Sequence, residues 1–238
     1  MRVVQFAGWS GTGKTTLIEQ VIDAAAPELA VGVVKHLGGA HPFSLDPDRD
    51  TTRFYDRGAR VVVGIDAEKG VGLHRGDTLF SALDRLSDSG CDLALVEGFK
   101  KEPFARVVIG DLPSERCVLR DPTAREVLGA LDRFDEHHSP GGLLRECRAR
   151  AGGAGGFECS GAMRTTGEIA GDRDTLGRLE AGLASAPGVV AAGLRGMVHA
   201  GQGTVVMALV ACDPAGGLTA MSGLARAVGE GGAGGGCR

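Results

Sequence analysis

The sequence predicts an α/β phosphate-loop NTPase fold with a mostly parallel sheet, followed by a small α+β domain. Three observations carry this expectation. The octapeptide Gly8-Trp9-Ser10-Gly11-Thr12-Gly13-Lys14-Thr15 fits the pattern G-x-x-x-x-G-K-[ST] between an apolar run and a helical pattern. Short β-branched runs then alternate with helical segments over about the first 150 residues, the signature of a parallel sheet covered on both faces. Finally, glycine thickens at residues 152–156, which reads as a linker and places the boundary between domains at 1–151 and 152–238.

Taken in order, residues 3–7 are an apolar strand and residues 16–22 continue the helix that opens at the phosphate loop. Residues 31–35 form a second strand, and the polar stretch from His36 to Asp50 fits neither period. A short helix over 51–57 stops at Gly58, a strand covers 60–65, and 71–74 is an edge strand. Leu79, Ala82, Leu83 and Leu86 share one helical face over 78–86. Residues 92–97 are a buried strand ending in an acid, strands follow at 106–109 and 117–119, and helices over 123–131 and 142–150 close the domain. Beyond the linker come a strand at 157–164, a helix over 172–186 and two strands, 189–199 and 204–212, around Gly201-Gln202-Gly203. A last helix over 215–228 is weakened by Gly216, Gly217 and Gly223, and the glycine-rich tail reads as a frayed end.

Composition narrows the function classes. A formal charge of -4 argues against nucleic-acid binding, which wants a basic surplus. No apolar span approaches about 20 residues, so no membrane crossing is expected, and the apolar N-terminus leaves no room for a signal peptide. Six scattered cysteines without C-x-x-C spacing fit free thiols in a reducing cytoplasm better than disulfides or zinc. All five lysines lie within the first 101 residues.

In a phosphate loop, backbone N–H groups and the following helix N-terminus point at phosphate oxygens. Ser10, Gly11, Thr12, Gly13, Lys14, Thr15 and Thr16 are therefore the expected nucleotide contacts, with Lys14 on the β- and γ-phosphates and the Thr15 hydroxyl on Mg²⁺. Lys35-His36 and Glu97 also fall at carboxyl ends of strands, the edge where ligands sit in such sheets. Four apolar residues ending in Glu97 match the second acid of phosphate-loop proteins, which holds Mg²⁺ or orients the attacking water; a solvent-facing glutamate is the bland alternative. Lys100 meets phosphate or is solvated. Residues 35–50 read as a switch-like loop, with Asp46 or Asp50 near the metal, or as a plain solvated loop; His36 and His41 match no common zinc spacing. Trp9, inside the loop, packs over nucleotide or a partner, and His137, His138 and His199 read as surface or core histidines.

Beyond the phosphate loop, Val34-Lys35-His36, Asp46-Pro47, Asp50-Thr51, Arg53, Gly58-Ala59 and Val96-Glu97-Gly98-Phe99-Lys100 resemble the molybdopterin-guanine dinucleotide biosynthesis adaptor B family. The resemblance covers residues 2–110 and extends loosely to about 150. It implies a homodimeric GTP-binding protein with weak hydrolysis, working beside the guanylyltransferase that attaches GMP to molybdopterin. Lys14, Thr15 and Glu97 would then serve GTP and Mg²⁺. The chain departs from the family at Leu37-Gly38-Gly39-Ala40, which separates His41 from His36, and no N-K-x-D guanine-reading motif is present. The second half resembles the large subunit of molybdopterin synthase at residues 161–164, 187–190 and 201–203. It has no lysine, which that chemistry needs, so it is expected to be a non-catalytic module docking a partner such as the active synthase, or a generic packing domain. The competing classes are a small-molecule kinase and a nickel metallochaperone GTPase.

Overall fold

A computed structural model describes residues 1–37, 46 and 48–231, the side chains of the last three excepted. The expected helix-covered parallel sheet is present. Its strands are β1 (Arg2–Gly8), β2 (Val31–Lys35), β5 (Leu93–Glu97), β6 (Arg106–Ile109) and β7 (Cys117–Arg120), in the order β2-β5-β1-β6-β7 and all parallel. A two-residue strand, β8 (Asp135–Glu136), adds to β1 antiparallel. Alternation along the strands sends side chains to two faces. Val4, Phe6, Leu93, Leu95 and Val107 meet helix α1 (Lys14–Ala25) and helix α4 (Ala124–Gly129) on one face. Val3, Ala94 and Val96 meet Leu79 and Leu83 of helix α3 (Leu79–Asp88) on the other.

The segment expected to supply an edge strand does something else. β3 (Val61–Ile65) and β4 (Gly70–His74) pair only with each other, as a separate antiparallel ribbon beside helix α2 (Asp50–Asp56). Along β3, Val61, Val63 and Ile65 all face water, Ile65 at 82% exposure, and Gly72 and Gly70 lie opposite the last two. The result is an exposed apolar row.

In the C-terminal half, β9 (Phe157–Thr166), β10 (Val189–His199) and β11 (Gln202–Ala211) form an antiparallel sheet in the order β10-β11-β9. The hairpin loop is shorter than the sequence suggested. His199 pairs with Gln202, leaving Ala200 and Gly201 as a two-residue turn with φ of 51° and 79°, the left-handed pair a tight hairpin requires. Helices α6 (Gly167–Gly171), α7 (Arg173–Ala184) and α8 (Pro214–Gly231) cover one face, against Val205, Met207, Leu209 and Ala211. The other face, Val206, Ala208 and Val210, packs on Leu143 and Cys147 of helix α5 (Pro140–Ala151). The helix expected to close the first domain thus buries its apolar side on the second sheet. Its opposite contacts are polar: Ser139 caps it and bonds Asp88 at 2.5 Å, while Arg145 donates to the Ser87 and Asp88 carbonyls at 3.0 and 2.6 Å. α5 is therefore a joint between the two units.

Five cysteines, Cys91, Cys117, Cys147, Cys159 and Cys212, are free thiols; Cys237 and the glycine-rich tail beyond residue 231 lie outside the described residues. No helix among the described residues is long and apolar enough to cross a membrane.

Candidate nucleotide site

The loop from Gly8 to Thr15 lies at the carboxyl end of β1, between β5 and β6. Two glycines are obligatory here for different reasons. A Cβ on Gly8 would stand 2.7 Å from the Ile109 carbonyl oxygen and 2.9 Å from Thr12 Oγ1, so the loop closes against β6 only without one. Gly13 has φ 88°, the left-handed turn that starts α1, and its carbonyl accepts from the Leu17 amide at 3.0 Å. No side chain caps this N-terminus. Its free N–H groups at Lys14, Thr15 and Thr16 are thus available to an anion.

Lys14 Nζ donates to the Trp9 carbonyl at 2.5 Å, and Thr12 Oγ1 donates to the same oxygen at 2.9 Å. Burial lowers the Lys14 pKa; Glu97 opposes that shift, and the nearby ammonium groups of Lys100 and Lys35 reinforce it. Trp9 is pinned beside the loop, its Nε1 donating to Asp111 Oδ1 at 3.0 Å and Lys100 Nζ lying 4.8 Å from its ring centre.

Glu97 ends β5 directly opposite Lys35 at the end of β2, and the two form an ion pair at 3.2 Å. The turn after it is held by several hydrogen bonds. The His36 amide donates to the Glu97 carbonyl at 2.9 Å and the Gly98 amide to Phe6 at 3.2 Å. Gln5, fully buried in β1, donates its side-chain amide to the carbonyls of Gly98 and Phe99. Gly98 and Phe99 hold φ of 91° and 50°, so the backbone reverses at once and leaves the carboxylate at the sheet edge. His36 packs on Phe99 in a tilted arrangement, ring centres 4.8 Å apart.

The phosphate loop, Lys14, Thr15, Thr16, Glu97 and Lys100 thus share one edge. Asp46 is engaged within its own turn, with the Asp48 amide at 3.0 Å and Arg49 at 3.3 Å. His41 lies outside the described residues. Two contributors were absent from the sequence reading of the site. Gln5 had a visible signal, a lone amide inside the apolar run Val3-Val4-Gln5-Phe6-Ala7. Asp111 had none, because only the fold brings it to Trp9, and Lys35, expected at this edge, gains a defined partner in Glu97.

Among the described residues no group of three or more His, Cys, Asp or Glu side chains is placed to hold a metal. One carboxylate and one hydroxyl at a phosphate site fit Mg²⁺, which keeps waters and takes phosphate oxygens instead of demanding a full protein cage.

His137, His138 and His199 lie together away from this edge, where the two units meet. His137 Nε2 contacts Asp84 at 2.8 Å, and His199 sits against Phe104 and Phe80 with ring centres 4.9 and 5.5 Å away. They belong to the packing.

The chain is similar to a family of known proteins. A family model described as "Molybdopterin guanine dinucleotide synthesis protein B" matches residues 3–124. A probable molybdopterin-guanine dinucleotide biosynthesis adapter protein of Bacillus subtilis is 33% identical over 144 residues, spanning 57% of this chain and 78% of that protein. The adapter protein of Escherichia coli is 34% identical over 131 residues, spanning 50% of this chain and 73% of its own. The crystal structure of Bacillus subtilis MobB aligns over 58% of this chain and 100% of that chain, at 23% identity and a TM-score of 0.46. The family match takes in the phosphate loop, Lys35, Glu97 and Lys100 and covers just over half of the 238 residues. The chain belongs to the molybdopterin guanine dinucleotide synthesis protein B (MobB) family.

Proposed function

We propose that this protein is a GTP-binding accessory protein of molybdenum cofactor assembly, with slow GTPase activity, assisting the guanylyltransferase that forms molybdopterin guanine dinucleotide. The observation that carries the reading is the convergence of Lys14, Lys100 and Glu97 on an uncapped helix N-terminus, inside a family whose curated members are named as adapters of that pathway. Ser10 to Thr16 cradle the phosphates, and Lys14 moves from the Trp9 carbonyl to the β- and γ-phosphate oxygens. Lys100 leaves the indole face for the same anion. Thr15 and Glu97, with Asp46 as a third candidate, would hold Mg²⁺, which when bound would neutralise charge on the phosphates. Glu97 orients water for in-line attack on the γ-phosphate, its position fixed by the Gln5-anchored turn.

Two further parts complete the reading. The exposed apolar row of Val61, Val63 and Ile65 on a two-stranded ribbon outside the main sheet suits pairing with a second copy, because such a ribbon is marginal alone. The lysine-free C-terminal half is a non-catalytic module, similar to the molybdopterin synthase large subunit, that docks a partner of the same pathway.

Calorimetric competition of GTP against ATP, with and without a guanylyltransferase, tests the assignment. GTP preference and weaker binding by Lys14→Ala, about 100-fold or more, are expected. Equal affinity of wild type and Lys14→Ala would remove the site, and ATP preference would favour a kinase.

A further inference from the structure

The Lys35–Glu97 pair is more than a strand-end contact. Its carboxylate is mostly buried, at 15% side-chain exposure, while the ammonium group is half exposed at 50%. With one partner mostly buried, desolvation offsets much of the attraction, so the sheet itself gains little from having lysine there. Lys35 also stands close enough to Lys14 to depress its proton affinity, as Lys100 does. At the mouth of a loop shaped for phosphate, Lys35 pairs with the one carboxylate while Lys14 and Lys100 lie on Trp9. Lys14 and Lys100 rest on the Trp9 carbonyl and ring, both weak partners for a cation, and only Lys35 occupies a full countercharge.

Resting on the triphosphate reading above, we propose that Lys35 is a specificity-determining residue that distinguishes a nucleoside triphosphate from a diphosphate. Its ammonium group leaves Glu97 for the terminal phosphate, so the Glu97 carboxylate is released only when that phosphate is present. A diphosphate leaves the ion pair closed. No covalent bond changes; one salt bridge is exchanged for another. The flexible lysine stem permits the move, whereas Glu97 stays fixed by the hydrogen bonds that Gln5, His36 and Gly98 make around its turn.

The test is calorimetric titration of the full chain with Mg²⁺ and either a slowly hydrolysed GTP analogue or GDP, with Trp9 emission followed in parallel. Wild type, Lys35→Met, Lys35→Arg, Glu97→Gln and the Lys35→Met/Glu97→Gln double variant are compared. Lys35→Met is expected to lose triphosphate affinity by about 10- to 100-fold while diphosphate affinity holds, and Lys35→Arg to retain most of both. In the Glu97→Gln background the triphosphate loss on adding Lys35→Met persists. Equal losses for both nucleotides, no loss, or a loss that vanishes in the Glu97→Gln background would each show Lys35 to be only a partner for Glu97. Wild type binding neither nucleotide would sink this inference and the GTP reading together; wild type binding both with Lys35→Met unchanged would sink this inference alone.

Discussion

Gln5 donates its side-chain amide to the Phe99 carbonyl at 2.7 Å, joining the centre of β1 to the turn that follows the Glu97 strand. This bond and its partner at Gly98 place a carboxylate beside the phosphate loop without any direct contact between the two chain segments' charged groups. The position of Glu97 is thus inherited from backbone geometry. That is why its chemistry is separable from its folding.

Replacing Glu97 by Gln keeps the shape and removes the charge. Nucleoside triphosphate is expected to bind still, while Mg²⁺-dependent hydrolysis falls by about 100-fold. Single-turnover phosphate release measures it; an unchanged rate demotes Glu97 to a bystander.

Gly98→Ala attacks the same turn through the backbone. At φ 91° an added Cβ is strained, and it would stand 2.8 Å from His36 Cβ. A loss of about 1–3 kcal/mol in urea unfolding is expected, with weaker nucleotide binding. Wild-type stability in this variant would mean that the turn relaxes freely.

Leu143 is 1% exposed between α5 and the C-terminal sheet. Truncation to alanine should cost about 2–5 kcal/mol, the usual range for a buried leucine. If the two units unfold together, one cooperative transition shifts as a whole; two separated transitions with only the later one moved would show that α5 does not couple them.

Acid should weaken the same region. Burial holds His138 and His199 below their ordinary value of 6.5, with Glu136 opposing the shift at His138 and Asp135 at His199. The unfolded chain therefore takes up protons first. Stability from these histidines is complete above about pH 6.5 and is lost as pH falls through the lowered folded values. His199 finds no partner for either ring nitrogen among the described residues and lies between two phenylalanines, so His199→Phe should flatten the response. Denaturant midpoints at about pH 5 and about pH 7.5 check this; parallel slopes for variant and wild type would contradict it.

Much of this was legible in the chain itself because local pattern and tertiary role coincide. The parallel strands are apolar runs, α3 carries its stripe at Leu79 and Leu83 behind a Thr78 cap, and the phosphate loop is a fixed spacing. The illegible parts depend on distant partners. β8 is the polar pair Asp135-Glu136, defined only by β1 alongside it. The β3–β4 ribbon has ordinary strand composition, and nothing in it says that the main sheet will leave it out. Of the glycines that looked like weak points of the last helix, Gly217 serves its packing, since a Cβ there would strike the Phe157 ring at 2.5 Å, whereas Gly223 faces open space. At the site, Lys14 and Glu97 announced themselves by motif and Lys35 by its strand end, whereas the Lys35 partner and Asp111 emerged only from register and from Trp9.

The position of α5 has a consequence for how this chain is made. Its greasy side is finished by β11, which ends at Ala211, some sixty residues after the helix itself has left the ribosome. Until then Leu143 and Cys147 have no cover, so the nascent nucleotide-binding half emerges with an unfinished seam. Severing the chain at the glycine-rich stretch 152–156 would leave the first sheet its own core and the apolar side of α5 facing water.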